Sequence, residues 1–224
     1  MGNLFPGFTA DAFSFFIMIR LNNNKEFFED NKEHYEDVLK KPLYALAADM
    51  EPFMLAVDKN IDTRATRAVA RIRRSTRFTK DKSPYRDHLW VSWRDRSREA
   101  EDSAIFTFYF SMEFDSMSCG SGYYNAGPKQ MAELRKKIAL QPERFERIAL
   151  KAQAGGFELH GDDYVRISPP EDLPELCKAY YRKKSFYLDK DLPMEGDNVS
   201  PKLPDVLKES YAFLRDMYDF VNYG

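Results

Sequence analysis

The chain has 224 residues, of which 43% are hydrophobic and 31% are charged. This length is sufficient for a domain with a buried core, and the composition is typical of a globular protein rather than a disordered one. The net charge of −2 and the pI near 6.0 are unfavourable for a general nucleic-acid-binding protein. Because the composition does not shift along the chain, we predict a single domain that spans residues 1–224.

The cysteines and histidines do not indicate a metal centre. Cys119 and Cys177 are far apart and lack the CxxC spacing of zinc sites and redox motifs. The histidines share no ligand spacing with them or with one another, so we expect no metal and no cofactor. The N-terminus lacks the pattern of a signal peptide, and the longest apolar run, 15–19, is too short to cross a bilayer. We therefore expect a cytoplasmic protein that has no membrane partner, and the sequence indicates no oligomeric state.

The first quarter of the chain has helical periodicity. A second helix has an apolar stripe interrupted by the amide of Asn31, and a third begins near Pro42 and ends near Pro52. The predicted inward stripe of the first helix is Phe13, Phe16, Ile17 and Leu21.

The middle of the chain changes to the period of β-strands. Over 89–94, Leu89, Val91 and Trp93 alternate with Trp90, Ser92 and Arg94, and every second residue of 106–114 is apolar. This pattern predicts two or three strands. Prolines open further helices at 128 and 142, and shorter strands are predicted at 164–167 and 185–188. Helices, then strands, then helices predict an α+β fold, with a mainly antiparallel central sheet, N-terminal helices and further helices after the strands.

Positive charge is concentrated in one stretch. Residues 64–86 contain seven arginines, two lysines and a single acid, Asp81, so this stretch carries +8 and the rest of the chain −10. Guanidinium groups bind phosphate and carboxylate bidentately, and an unbalanced row of them favours an anion site. If the stretch is extended, Arg71, Arg73 and Arg77 lie on one face. In the alternative, the row is neutralised by acids from elsewhere, such as Glu26, Glu29, Asp30 or Glu33.

Neighbouring residues could complete such a site. Asp81 is held ionised by the surrounding cations and is suited to orient an arginine or to accept a proton. Lys82 and Tyr85 can donate hydrogen bonds to an anionic oxygen, whereas in the alternative this stretch is an ordinary turn and Tyr85 belongs to the core. Asn31 and Tyr35 are expected to contribute from a facing helix.

The glycines at 120 and 122 are predicted to form a turn or bulge where a strand ends. Backbone amides at Gly120, Ser121 and Gly122 could alternatively hold an oxyanion. The spacing fits neither a Walker loop nor a dinucleotide-binding fingerprint.

The sequence also resembles a known family, through the pattern R-x-x-R-D-x-R-F-x-x-[D/N]-K-x-x-Y. This pattern is similar to the signature of the bacterial domain-of-unknown-function family 2461, and Ser75 replaces its Asp. The resemblance implies which positions matter, but it implies no catalytic residues, because the family has no assigned activity. The matching residues are Arg71, Arg74, Arg77, Phe78, Asp81, Lys82 and Tyr85, then Phe8, Asn23, Asn24, Phe27, Phe28, Asn31, Lys32 and Tyr35 near the N-terminus, and Lys184, Ser185 and Phe186 near the C-terminus.

We therefore predict a pocket for a small anionic ligand, phosphorylated or carboxylated, and leave open whether catalysis follows binding. One alternative is a nucleic-acid-binding module, and another is a structural or interaction protein whose arginines are paired internally. The predicted pocket residues are Arg71, Arg74, Arg77, Lys82 and Tyr85, with Asp81 as the orienting group and Asn31 and Tyr35 opposite. The stacking residues of the nucleic-acid alternative would be Trp90, Trp93, Phe106 and Tyr109.

Overall fold

The structure, a computed structural model, describes residues 4–75, 77, 80–95, 105–123 and 126–224. At its centre lies a five-stranded sheet in which every neighbouring pair of strands is antiparallel. Its strands are β1 (Leu89–Trp93), β2 (Phe106–Met112), β3 (Met117–Tyr123), β4 (Glu158–His160) and β5 (Tyr187–Asp191). The strand order is β1-β2-β3-β5-β4. Helices precede and follow the strands, which confirms the predicted α+β fold.

Helices before the sheet form the N-terminal layer. They are α1 (Ala10–Leu21), α2 (Lys25–Asp30), α3 (Lys32–Tyr35), a π-helical turn (Glu36–Lys40), α4 (Lys41–Val57) and α5 (Ala65–Ala68). α4 continues past Pro52, so the predicted end there is wrong. A proline inside a helix removes one backbone hydrogen bond. The helix persists because Met50 and Met54, on either side of the proline, are both fully buried in the core.

The stripe predicted for α1 is wrong at two positions. Ile17 and Leu21 are exposed, by 45% and 77% respectively. The aromatic run of this helix fits two helical registers, and the chain uses the one that begins at Ala12. The buried residues are Ala12, Phe15, Phe16 and Ile19.

Further helices follow β3 in the chain, and β4 and β5 are interspersed among them. The helices are α6 (Pro128–Leu140), α7 (Pro142–Ala154), α8 (Glu175–Arg182), α9 (Leu203–Ala212) and α10 (Arg215–Asn222), with a 3-10 turn at Gly196–Asn198. Both predicted proline starts are confirmed, at Pro128 and Pro142. Residues 164–167 do not form the predicted strand, since Val165 and Arg166 lie in a turn, and β4 lies earlier in the chain. Within the described ranges, no helix is long and apolar enough to span a membrane.

The sheet has a core face and an outer face. The core face contacts α9 and α10, where the ring of Phe108 lies 5.2 Å from Tyr211 and 5.1 Å from Tyr218. The core-face side chains of β1 and β2 are fully buried, which confirms the predicted alternation in these two strands. The outer face carries the intervening residues, Trp90 and Tyr109 among them.

The glycines at 120 and 122 lie inside β3 and not in a turn or an anion-binding loop. Gly120 is paired with Tyr109 on one side and with Asp189 on the other. The Tyr109 hydroxyl crosses over Gly120 and donates to Asp189 Oδ1 at 2.6 Å. A Cβ at position 120 would lie 2.6 Å from that hydroxyl, so the glycine is required for close cross-strand packing.

Candidate functional site

The basic stretch runs along the edge of the sheet and then folds back on itself. Val69 bridges to Val91 of β1, and Arg73 bridges to Tyr85 in an antiparallel manner. Ile72 points into the core, so Arg71 and Arg73 on either side of it are exposed. The extended conformation thus places alternate arginines on the solvent side, as expected for the period of a strand.

Arg74 lies on the opposite side and is held by carboxylates. Its Nη1 donates to Asp81 Oδ2 at 2.5 Å, and its Nη2 lies 3.6 Å from Asp87 Oδ1. Asp87 also lies 3.4 Å from Arg20 Nε. Hydrogen bonds from Ser83, together with the Arg74 guanidinium, lower the pKa of Asp81, so this carboxylate stays ionised at neutral pH. Arg74 therefore belongs to an ion-pair network whose acids lie in its own segment.

Tyr85 and Tyr35 lie in the hydrophobic core. Tyr85 is 1% exposed, and its ring stacks on Phe28 at a centroid distance of 4.2 Å. The Asn23 side chain fixes this position by bonding both the backbone N–H and the carbonyl of Tyr85, at 3.0 and 2.9 Å. Tyr35 packs 5.6 Å from the same Phe28 ring, and burial raises the pKa of its hydroxyl. These placements match the core alternative for Tyr85.

The remaining predicted residues are dispersed. Asn31 donates its amide to the Phe27 carbonyl at 2.8 Å and so stabilises the C-terminal end of α2. Arg77 and Lys82 are exposed. Phe78 of the signature lies outside the described residues.

Arg71 lines a cleft that we name the basic cleft. This cleft lies beside β1 and has a volume of about 240 Å³. It is lined by residues 66–71 together with Trp90, Ser92 and Arg94. It therefore has Arg67, Arg71 and Arg94 among its lining residues, and none of the described lining residues is acidic.

Arg71 differs from Arg74 in its contacts. Across the part of the chain that the structure describes, the Arg71 side chain forms neither an ion pair nor a hydrogen bond, and it is exposed. The indole of Trp90, on the neighbouring wall, is flanked by Arg86 at 5.0 Å and by His88 at 5.6 Å. The cleft thus combines an accessible cation with an aromatic surface, an arrangement that can bind an anion carrying an apolar group.

Of the residues that line the basic cleft, the predicted anion pocket contained only Arg71, and Trp90 was named only as a stacking residue of the nucleic-acid alternative. Trp90, Ser92 and Arg94 alternate with the core residues of β1, so the strand period alone places them on the outer face. Arg67 belongs to the basic stretch but precedes the signature. What the sequence does not reveal is that the residues around Val69 pair with Val91 and thereby bring both groups together.

Comparison with known proteins identifies a family. The family model described as a conserved hypothetical protein (DUF2461) matches residues 11–220. A search of curated proteins gives no significant match. Among the described residues, no group of three His, Cys, Asp or Glu side chains is placed to hold a metal ion.

Proposed function

We propose that this protein, which belongs to the DUF2461 family of conserved hypothetical proteins, binds a small phosphorylated or carboxylated ligand in the basic cleft. The observation that carries the proposal is the convergence of Arg67, Arg71 and Arg94 on one cleft. Guanidinium groups offer paired donors that match the oxygens of phosphate and carboxylate. Arg71, whose side chain forms neither an ion pair nor a hydrogen bond among the described residues, is the cation available to such an anion.

The other walls of the basic cleft favour a ligand with more than a bare anion. Ser92 supplies a hydroxyl that can donate to an ester or phosphate oxygen. Trp90 supplies a flat apolar surface beside the cations. We therefore infer a small organic ligand in which a phosphate or carboxylate is joined to an apolar or planar part.

The signature residues outside the cleft have a second role in this proposal. The Arg74 network and the buried Tyr85 fix the segment from which Arg71 projects. That Arg74, Arg77, Asp81, Lys82, Asn31 or Tyr35 contacts the ligand itself stays a prediction. Arg74 has the contacts expected of the alternative in which the arginines are paired internally.

A thermal-shift screen tests the proposal, with inorganic phosphate, nucleoside monophosphates, sugar phosphates and small carboxylates at constant ionic strength. We expect one class to raise the melting temperature of the wild type, and Arg71→Gln to abolish the rise. The matched control is Arg73→Gln, because Arg73 is also exposed and lies two residues away but outside the cleft. Equal loss in both variants, or no rise with any anion, would contradict the proposal.

Nucleic-acid binding has less support. Of the four aromatic residues expected to stack on bases, Trp93 and Phe106 are fully buried in the core. Trp90 and Tyr109 lie on the outer face of the sheet. Short oligonucleotides belong in the same screen, where binding that weakens steeply with salt would favour this alternative.

A further inference from the structure

A second cleft, which we name the interhelical cleft, lies between α7 and α10. Its volume is about 400 Å³, a size suitable for a small molecule. Its lining residues are Arg144, Arg147, Ile148, Lys151, Asp216 and Asp219. It shares no lining residue with the basic cleft, so the two sites can be tested independently.

Two of its charged residues are already engaged with protein groups. Lys151 Nζ donates to Asp216 Oδ2 at 2.7 Å, which joins α7 to α10. Arg144 donates to the Gln141 side chain at 2.7 Å, and its guanidinium lies 5.2 Å from the centre of the Phe220 ring. Arg144 is thus held in place at the margin of the cleft, and the charge of Lys151 is neutralised by Asp216.

Arg147 and Asp219 are not engaged in this way. In the described ranges, neither side chain forms an ion pair or a hydrogen bond, with the other or with any further residue. Asp219 is only partly exposed, and its burial raises its pKa. Burial destabilises the ionised form of this carboxylate, and the nearby guanidinium groups of Arg215 and Arg144 offset that effect only in part. The cleft thus presents one positive and one negative group that do not neutralise each other.

We propose that the interhelical cleft binds a zwitterionic small molecule of the α-amino-acid type. Its carboxylate is bound by Arg147, supported by Arg144, and its ammonium group is bound by Asp219. A simple anion would meet the two carboxylates of α10, and a simple cation would meet the three cations of α7. A ligand that carries both charges can place its carboxylate against α7 and its ammonium group against α10.

Calorimetric titration with a panel of free L-amino acids, followed by one-charge analogues of the best ligand, tests this proposal. For leucine the analogues are isocaproate, which lacks the amine, and isopentylamine, which lacks the carboxylate. We expect measurable binding of at least one amino acid, with both of its analogues weaker by about tenfold or more, since each loses one charge-assisted contact.

Variants then assign the two charges. Arg147→Gln and Asp219→Asn are each expected to weaken binding of the amino acid by about tenfold. Arg166→Gln removes an exposed arginine outside the cleft and should leave binding unchanged. Circular dichroism spectra and melting curves confirm that each variant is folded. The proposal is overturned if no amino acid binds, if a one-charge analogue binds as tightly as its parent, or if binding survives either substitution in the cleft.

Discussion

Single residues in this protein illustrate how neighbours decide the role of a charge. Arg71 and Arg74 are three positions apart in one basic stretch. Arg74 is 19% exposed at its side chain and paired with two carboxylates, whereas Arg71 is exposed and lines the basic cleft. Alternate side chains of an extended segment point to opposite sides, so Arg74 points towards the N-terminal helices and Arg71 towards solvent.

Asp219 gives a prediction at the same scale, on the pH dependence of stability. Its pKa is raised, mainly by burial and against the opposing effect of Arg215 and Arg144. The folded state therefore favours protonated Asp219, and ionisation lowers stability as pH rises through the interval between the unfolded and folded pKa values. We expect Asp219→Asn to be more stable than wild type at neutral pH, and this gain to vanish at a pH below both values.

Urea denaturation at neutral and acidic pH measures this effect. The matched control is Asp216→Asn, which removes a carboxylate from the same helix but breaks the exposed pair with Lys151. It should lose at most about 1 kcal/mol at neutral pH. If Asp219→Asn is instead less stable than wild type at neutral pH, its carboxylate has a favourable partner.

Gly120 gives a second residue-scale prediction. A Cβ there would lie 2.1 Å from the Leu188 carbonyl oxygen and 2.6 Å from the Tyr109 hydroxyl. Relieving these clashes requires movement of backbone as well as side chain, so Gly120→Ala should destabilise the fold by about 1–3 kcal/mol. In the control Gly127→Ala, the added methyl would meet only the flexible end of Gln130, and we expect a smaller change. Urea denaturation of both variants measures the difference, and equal stability would refute this account of Gly120.

Elements are positioned by polar contacts at their ends as much as by their apolar faces. Asp58, at the C-terminal end of α4, accepts hydrogen bonds from Tyr218 at 2.8 Å and from Tyr223. Both tyrosines come from the C-terminal segment, so one buried carboxylate fastens α10 to α4. In the N-terminal layer, Asp49 in the middle of α4 accepts hydrogen bonds from the backbone amides of Leu4 and Phe5.

The contact between α4 and α10 leads to a prediction about hydrogen-bond strength. Tyr218→Phe removes a donor from a buried carboxylate, and hydrogen bonds to charged groups contribute about 1.5–3 kcal/mol. The comparison is Tyr211→Phe, which removes a donor to the neutral carbonyl of Tyr109 and should cost about 0.5–1.5 kcal/mol. The free energies of unfolding of the two variants measure the difference. A loss for Tyr218→Phe no larger than for Tyr211→Phe would mean that Asp58 does not depend on this donor.

The sequence predicts elements better than it predicts their partners. Strand alternation in β1 and β2 and the proline starts of α6 and α7 are local signals, and they are confirmed. The location of Gly120 inside β3 depends on Tyr109 and Asp189 from two other strands, and no local pattern contains that information. For the same reason, Arg71 is the only residue of the basic cleft that the predicted anion pocket included. The opposite wall of the cleft comes from β1, and the local sequence does not show that β1 lies beside Arg71.

At the scale of the whole molecule, the uneven charge has two different uses. The basic stretch carries +8 in a chain of net charge −2. Part of that charge is neutralised locally, as at Arg74, and part remains exposed around the basic cleft. If all the arginines of this stretch only stabilised the fold, removing any of them would lower the melting temperature. This arrangement instead predicts that one substitution lowers the melting temperature and another abolishes its rise with an anion.

The two responses can be separated by a pair of substitutions in the same stretch. Arg74→Gln removes a guanidinium partner from Asp81 and another from Asp87. We therefore expect a lower melting temperature, with the anion-induced rise retained. Arg71→Gln removes no ion pair from the described structure, so we expect an unchanged melting temperature without ligand and no anion-induced rise. Melting curves of both variants with and without the best anion of the screen measure both quantities. If Arg71→Gln destabilises the protein as much as Arg74→Gln does, the arginines of this stretch act as scaffold and the basic cleft loses its proposed ligand.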